Sequence, residues 1–133
     1  MLDKTLAPHA GRAYILLRVV VGFLFAVHGA QKVFGFLTDA AIDLSDKPQL
    51  WIGGVIELVT GALMAVGLFT RWAAFLASGT MAVAYAQFHW KFQFDEMIWP
   101  TKNNGELALV YAFLFLYIAC RGSGYGGGKK KSD

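Results

Sequence analysis

Four apolar runs decide what this 133-residue chain can fold into. A helix needs about 20 mostly apolar residues to cross the hydrocarbon core of a bilayer. The first three runs come close to or exceed that length, and the fourth is flanked by charged side chains that can snorkel towards the membrane surface. The runs are residues 13–37, 51–69, 72–90 and 107–120. The sequence therefore predicts an all-α integral membrane protein, a four-helix bundle.

Composition supports the same class of protein. Hydrophobic residues make up 56% of the chain and charged residues 16%, against about 45–50% and about 25% in soluble domains. Nine acidic and twelve basic residues are too few to cover a soluble domain of this size. The single cysteine, Cys120, excludes an intrachain disulfide and a cysteine-built metal cage, and no metal site is predicted. The net charge of +3 is dispersed, so no nucleic-acid partner is predicted.

The connections between the runs predict one domain with a tail. Residues 1–121 form the four-span domain, and residues 122–133 form a flexible, Gly- and Lys-rich cytoplasmic tail. Only Thr70 and Arg71 separate the second and third runs, which predicts a tight antiparallel hairpin. Ser45-Asp46 followed by Pro48 is a start signal for the second helix.

The distribution of basic residues predicts that both termini are cytoplasmic. With that orientation, seven basic residues fall on the cytoplasmic side and four on the external side. The cytoplasmic ones are Lys4, Arg12, Arg71, Arg121, Lys129, Lys130 and Lys131, and the external ones are Lys32, Lys47, Lys91 and Lys102.

Ionisable residues inside the runs point to an internal site. Each costs about 2.5–3.5 kcal/mol at the centre of a membrane helix on insertion scales, so such residues persist where they face partners. Arg18, His28 and Lys32 share one face of the first helix at 100° per residue. Glu57 in the second helix and Lys32 both lie roughly 8–9 Å below the outer interface, so the two can pair. His89 reaches the same level from the third helix.

Each of these residues has a structural alternative. Arg18 either snorkels to the headgroups or faces the bundle. Lys32 and Glu57 are either a structural ion pair or part of a binding site, and His89 is either interfacial or a ligand. Small residues spaced by four predict close helix packing. The candidate binding residues are His28, Lys32, Glu57 and His89, and the residues predicted to serve packing or structural charge are Arg18, Gly22, Gly29, Gly54, Gly61, Arg71 and Glu106.

Two motifs resemble those of the DoxX family of small four-helix membrane proteins. The first helix reads Arg18-x3-Gly22-x2-Phe25-x2-His28-Gly29-x2-Lys32, and the second reads Gly54-x2-Glu57-x3-Gly61-x5-Gly67-x2-Thr70-Arg71. The resemblance covers about residues 13–121. The C-terminus departs from the family pattern, because residues 122–125 lack the proline of the usual Gly-Pro-Gly ending.

The resemblance implies a link to quinone-dependent sulfur oxidation, since one branch of the family is the small subunit of a thiosulfate:quinone oxidoreductase. We therefore expect a membrane subunit of a redox or respiratory complex that docks a partner protein and shapes a quinone site, without catalysis by this chain alone. The alternatives are a purely structural or assembly subunit and, third, a small-solute transporter. No cofactor is encoded, although a quinone is a candidate ligand. The expected partners are membrane lipids, a redox protein and further copies of the chain, in a bacterial or archaeal cytoplasmic membrane.

Overall fold

The computed structural model describes residues 1–125, and every regular element in that part of the chain is helical. This confirms the all-α prediction. The short helix α1 runs through a 3-10 turn, Ala7–His9, into α2, and a π-helical turn, Tyr85–Trp90, continues α4 without a break. The helices are α1 (Leu2–Leu6), α2 (Ala10–Phe34), α3 (Pro48–Val66), α4 (Thr70–Ala84) and α5 (Glu106–Arg121), with a further 3-10 turn at Glu96–Ile98.

The helix boundaries follow local backbone chemistry. Helix α2 ends at Phe34 because Gly35 takes a left-handed conformation with φ +68° and donates its N–H to Gln31, 3.0 Å away. Helix α3 begins at Pro48, whose ring fixes a helical φ and whose missing N–H costs nothing in the first turn. In the loop between them, hydrogen bonds from the Ser45 hydroxyl and N–H lower the pKa of the Asp43 carboxyl.

The predicted hairpin connection was placed three residues too late. Thr70 and Arg71 form the first turn of α4, and residues 67–69 make the connection. Gly67 has φ +81° and Phe69 has φ +48°, so two left-handed residues reverse the chain before Thr70. Below, the end of the bundle that holds this turn is called the hairpin end, and the end that holds loops 35–47 and 91–105 is called the loop end.

Four glycines allow α2 and α3 to approach backbone to backbone. A Cβ added at Gly22 would lie 2.6 Å from the backbone nitrogen of Ala65 and 2.8 Å from the carbonyl oxygen of Gly61. Two turns further along α2, a Cβ added at Gly29 would collide with the carbonyl of Gly54. The glycines that were predicted to serve packing therefore meet in two pairs across the α2–α3 interface, in one antiparallel register. Such close approach is how membrane helices gain packing energy without a hydrophobic drive.

The bundle has polar side chains inside and apolar side chains outside. Arg18, Glu57 and Thr60 are buried together with aromatic and aliphatic core residues, while large residues such as Phe23 and Phe113 are exposed. Two helical segments of the described chain, Leu2–Phe34 and Pro48–Val66, are long and apolar enough to cross a membrane. Helices α4 and α5 are shorter, with 15 and 16 residues. An apolar exterior around buried charges is the reverse of what water favours.

Candidate functional site

A cavity of about 820 Å³ lies between α2, α3, α4 and α5 and extends to the loop end. The four residues that the sequence singled out for binding all line it, although they come from three separate parts of the chain: His28 and Lys32 from α2, Glu57 from α3, and His89 from the π-helical turn. The fold therefore brings the whole predicted set to one cavity.

Lys32 and Glu57 form an ion pair in the cavity wall. The Lys32 Nζ lies 2.6 Å from the Glu57 Oε1. The side chain of Glu57 is only 3% exposed, whereas that of Lys32 is 32% exposed and can reach water or ligand. The second oxygen of Glu57, Oε2, is buried and has no hydrogen-bond partner within residues 1–125. The pair thus leaves one buried acceptor and the remaining ammonium hydrogens free for a further group.

The two histidines occupy different environments. His28 lies on α2 one turn from Lys32, is exposed, and forms no hydrogen bond to any other residue in the described part of the chain. His89 is half-buried, and its Nδ1 lies 3.3 Å from the carbonyl oxygen of Asn103. That contact orients the His89 ring, whereas the His28 imidazole is unconstrained by the protein and accessible from the cavity.

The remainder of the cavity wall is mostly apolar and opens sideways. Its rim is formed by residues of α3 and α4 that are also exposed on the outer surface of the bundle, among them Ile52, Phe75, Leu76 and Val83. Tyr111 of α5 closes the opposite wall, where its ring stacks on Phe115. A lipid-soluble molecule can enter through such an apolar rim without crossing a polar surface.

Three polar residues frame the loop end, and two of them, Asn103 and Gln49, were missed by sequence reasoning. Asn103 is 4% exposed and ties the loop together: its amide nitrogen donates to the Tyr85 hydroxyl and the Met97 carbonyl, and its Oδ1 accepts from Gly105 N–H at 2.8 Å. Gln49 and Gln87 exchange amide hydrogen bonds between α3 and the π-helical turn. Asparagine before glycine, as in Asn104-Gly105, is a turn signal, but nothing in the sequence marks Asn103 as buried.

Arg18 does not snorkel to a membrane surface, which corrects one of the two sequence alternatives. It is fully buried. Its guanidinium donates to the carbonyls of Met64 and Ala65 and to the Tyr125 hydroxyl at 2.9 Å. Those carbonyls lie in the last turn of α3, where intrahelical donors run out. Arg18 therefore caps α3 across the bundle, and no local sequence pattern indicates this partner, because it lies 46 residues away.

Arg71 does the same for α5. Its guanidinium donates to the carbonyls of Ala119, at 3.0 Å, and Cys120. The chain then continues along the bundle: the Tyr14 hydroxyl donates to the Gly122 carbonyl at 2.5 Å, and Tyr125 lies beside Arg18. Residues 122–125 of the predicted tail thus pack on the bundle, and residues 126–133 lie outside the described residues.

Glu106 stands apart from the cavity. It is exposed in the first turn of α5 and does not line the cavity wall. A carboxylate there complements the positive end of the helix dipole. Within residues 1–125, no group of three or more His, Cys, Asp or Glu side chains is placed to hold a metal ion.

The helical fold, the apolar exterior and the buried charges are typical of membrane proteins. The chain belongs to the DoxX family, whose model matches residues 13–90. This match ends at the π-helical turn, short of α5. The chain is also 42% identical over 118 residues to an uncharacterized protein of Haemophilus influenzae (strain ATCC 51907 / DSM 11121 / KW20 / Rd), covering 85% of this chain and 87% of that protein. No solved structure matches the chain significantly. The family and the two long apolar helices together indicate a membrane protein.

Proposed function

We propose that this chain is a four-span subunit of a redox or respiratory complex in a bacterial cytoplasmic membrane, and that its loop-end cavity binds a quinone or a quinone-like ring. The observation that carries the proposal is the placement of a buried, half-satisfied carboxylate in an otherwise apolar cavity that opens onto the outer surface of the bundle. The four-span arrangement is supported by the exposed apolar faces of α4 and α5. Like those of α2 and α3, these faces must be shielded from water.

The size and lining of the cavity suit such a ligand. Pockets for small ligands measure about 300–1,000 Å³ and combine apolar walls with a few polar groups that fix orientation. At about 820 Å³, this cavity holds a substituted aromatic ring and the first part of an isoprenoid tail. The tail would leave between α3 and α4 through the apolar rim.

The polar groups match the chemistry of a quinone. A quinone carbonyl accepts hydrogen bonds, and Lys32 Nζ and the His28 ring are donors in the wall. A quinol hydroxyl donates, and the free Oε2 of Glu57 accepts. Reduction of the quinone to quinol takes two electrons and two protons. The electrons come from the partner protein, and the His28 imidazole, whose two ring nitrogens can donate and accept a proton, supplies a proton path to the ring oxygen.

A structural or assembly role is the competing proposal. The glycine pairs and the Lys32–Glu57 ion pair would lock α2 to α3 whether or not a ligand binds. That role requires no accessible cavity, so a substitution that only fills the cavity distinguishes the structural role from ligand binding.

Photolabelling of the purified full chain with an azidoquinone tests the proposal. Gly79 of α4 lines the cavity, and a Cβ there would have nothing within 4 Å, so we expect Gly79→Phe to occupy cavity space with little effect on the helix contacts. We expect labelled peptides from the cavity wall, competition by unlabelled ubiquinone-1 or menadione, and about ten-fold weaker competition in Gly79→Phe with an unchanged unfolding midpoint. Gly11→Phe, at an equally open glycine outside the cavity, is the matched control.

If wild type and Gly79→Phe are labelled alike, the quinone is not in the cavity and the structural role is favoured. If neither is labelled but the chain co-purifies in fixed stoichiometry with another membrane protein, the assembly role replaces the binding role.

A further inference from the structure

A second cavity, of about 590 Å³, lies at the hairpin end and has a mostly polar lining. It is formed by the start of α4, by Arg121 at the end of α5, and by residues 122–125. It contains none of the residues assigned to the loop-end cavity, so the inference below does not depend on quinone binding.

The first turn of α4 presents unsatisfied backbone donors to this cavity. The residue before the helix, Phe69, is left-handed and offers no side-chain cap. The first backbone bond of the helix runs from Ala73 N–H to the Phe69 carbonyl at 3.0 Å. The N–H groups of Thr70, Arg71 and Trp72 therefore have no acceptor within residues 1–125. They carry the partial positive charge of a helix N-terminus, which favours anions.

Thr70 adds an independent indication of a missing ligand. The residue is 4% exposed and lines the cavity, and its Oγ1 is buried without a hydrogen-bond partner among the described residues. A buried hydroxyl without a partner is unfavourable. An oxygen atom of a ligand at the helix N-terminus would satisfy it together with the backbone donors.

Two guanidinium groups make the cavity electropositive. Arg71 donates to carbonyls at the end of α5 and so offsets the negative end of that helix. Arg121 donates to the Tyr117 hydroxyl at 3.1 Å and lies over the Tyr14 ring at 4.3 Å, which holds its charge beside the cavity. None of the described residues that line the cavity is an Asp or a Glu.

The rim of the cavity places it at the depth of lipid headgroups. Phe69 is 76% exposed and Trp72 is 77% exposed, and both border the cavity. Trp and other aromatic side chains concentrate where the hydrocarbon core meets the headgroups. We propose that this cavity binds the phosphate group of an anionic membrane lipid, with Thr70 Oγ1 and the first α4 N–H groups as donors and Arg121 as counter-charge. Inorganic phosphate shares this chemistry and is the other possible source.

Native mass spectrometry of the full chain in mild detergent tests the inference with three probes: phosphatidylglycerol, diacylglycerol with the same acyl chains, and inorganic phosphate. We expect phosphatidylglycerol to be retained at least about ten-fold more tightly than diacylglycerol. Competition by inorganic phosphate would make free phosphate a ligand of the same site, whereas its failure to compete would assign the site to lipid.

Thr70→Val separates ligand binding from a structural role. Since Oγ1 has no hydrogen-bond partner within residues 1–125, the near-isosteric valine should leave the unfolding midpoint without lipid unchanged while weakening phosphatidylglycerol retention about ten-fold. Thr5→Val, an exposed threonine in α1, is the matched control. Arg121→Gln is the second variant, with Arg12→Gln as its control, and it replaces Thr70→Val in the test if Thr70→Val unfolds. The inference is overturned if diacylglycerol is retained as tightly as phosphatidylglycerol, or if the folded Thr70 and Arg121 variants bind phosphatidylglycerol like the wild type.

Discussion

Glu57 meets Lys32 through one carboxylate oxygen at 2.6 Å, and its second oxygen is buried without a partner within residues 1–125. The two side chains are unequally exposed, at 3% for Glu57 and 32% for Lys32. The Glu57 carboxylate is therefore fixed in the wall of the cavity, whereas the Lys32 ammonium can turn towards the contents of the cavity. From the sequence alone the two were interchangeable members of a salt bridge.

The unequal burial predicts unequal costs of breaking the pair. Lys32→Met leaves a buried carboxylate without its partner, which typically costs about 3–5 kcal/mol. Glu57→Gln leaves an ammonium that can hydrate, so we expect about 1 kcal/mol, the range of exposed pairs. Unfolding free energies in detergent measure both.

A further outcome checks the same pair. The double variant Lys32→Met/Glu57→Leu should be more stable than Lys32→Met, because it removes the unpaired charge. Equal costs for the two single variants would contradict the unequal burial.

Substitution of the interface glycines should separate packing from helix propensity. Gly61→Ala places a methyl group against the backbone of α2, and overpacking of this kind costs about 1–3 kcal/mol. Gly53→Ala in the same helix meets nothing within 4 Å, and we expect it to gain about 0.5–1 kcal/mol, because alanine loses less backbone freedom in a helix. Denaturant titration of the two variants gives the comparison, and a destabilised Gly53→Ala would contradict it.

Arg18 should resist replacement by lysine. A single ammonium cannot reproduce the fork that reaches Met64, Ala65 and Tyr125. Since a hydrogen bond to a charged group contributes about 1.5–3 kcal/mol, we expect Arg18→Lys to lower the free energy of unfolding by about 3 kcal/mol. Arg12→Lys, at an exposed site in the same helix, should change it by less than about 0.5 kcal/mol. Similar midpoints for the two lysine variants would show that Arg18 is not a helix cap.

Asn103 should control the order of the loop beside the cavity. Asn103→Ala leaves the Gly105 N–H and the Met97 carbonyl without this partner, at about 1–3 kcal/mol for a buried unsatisfied group. Hydrogen exchange in residues 95–105 should accelerate without a matching change in α2 and α3. Asn104→Gly is the control, because Asn104 has φ +60°, which glycine adopts freely. Unchanged exchange in Asn103→Ala would contradict the assignment.

Membrane topology is predicted to place the hairpin end and both termini in the cytoplasm. The seven-to-four division of basic residues favours that orientation. Reporter fusions at residues 71 and 133 should be active only on the cytoplasmic face, and fusions at residues 43 and 102 only on the external face. External activity of the fusion at residue 71 would reverse the predicted orientation. If the fusions at residues 71 and 133 were active on different faces, four spans would be ruled out.

The sequence by itself determined the helical class of the fold and singled out four residues that line the loop-end cavity. Apolar runs separated by polar connections require helices, because backbone groups in an apolar setting must bond within their own segment. The cost of ionisable residues inside such runs singled out His28, Lys32, Glu57 and Arg18 as inward-facing or functional. Helical periodicity and depth counting were sufficient to match Lys32 with Glu57, since both quantities depend only on position along a regular helix.

Only the tertiary structure decided what each charge contacts and which spaces remain open. Arg18 and Arg71 cap helices whose ends lie about fifty residues further along the chain, and no local pattern encodes a partner at that distance. The left-handed residues Gly67 and Phe69 set the true hairpin. The cavities, the buried Asn103 and the atoms of Glu57 and Thr70 that lack a partner within residues 1–125 depend on how four helices pack together. Packing depends on all the side chains together, so it cannot be predicted from the sequence of one helix at a time.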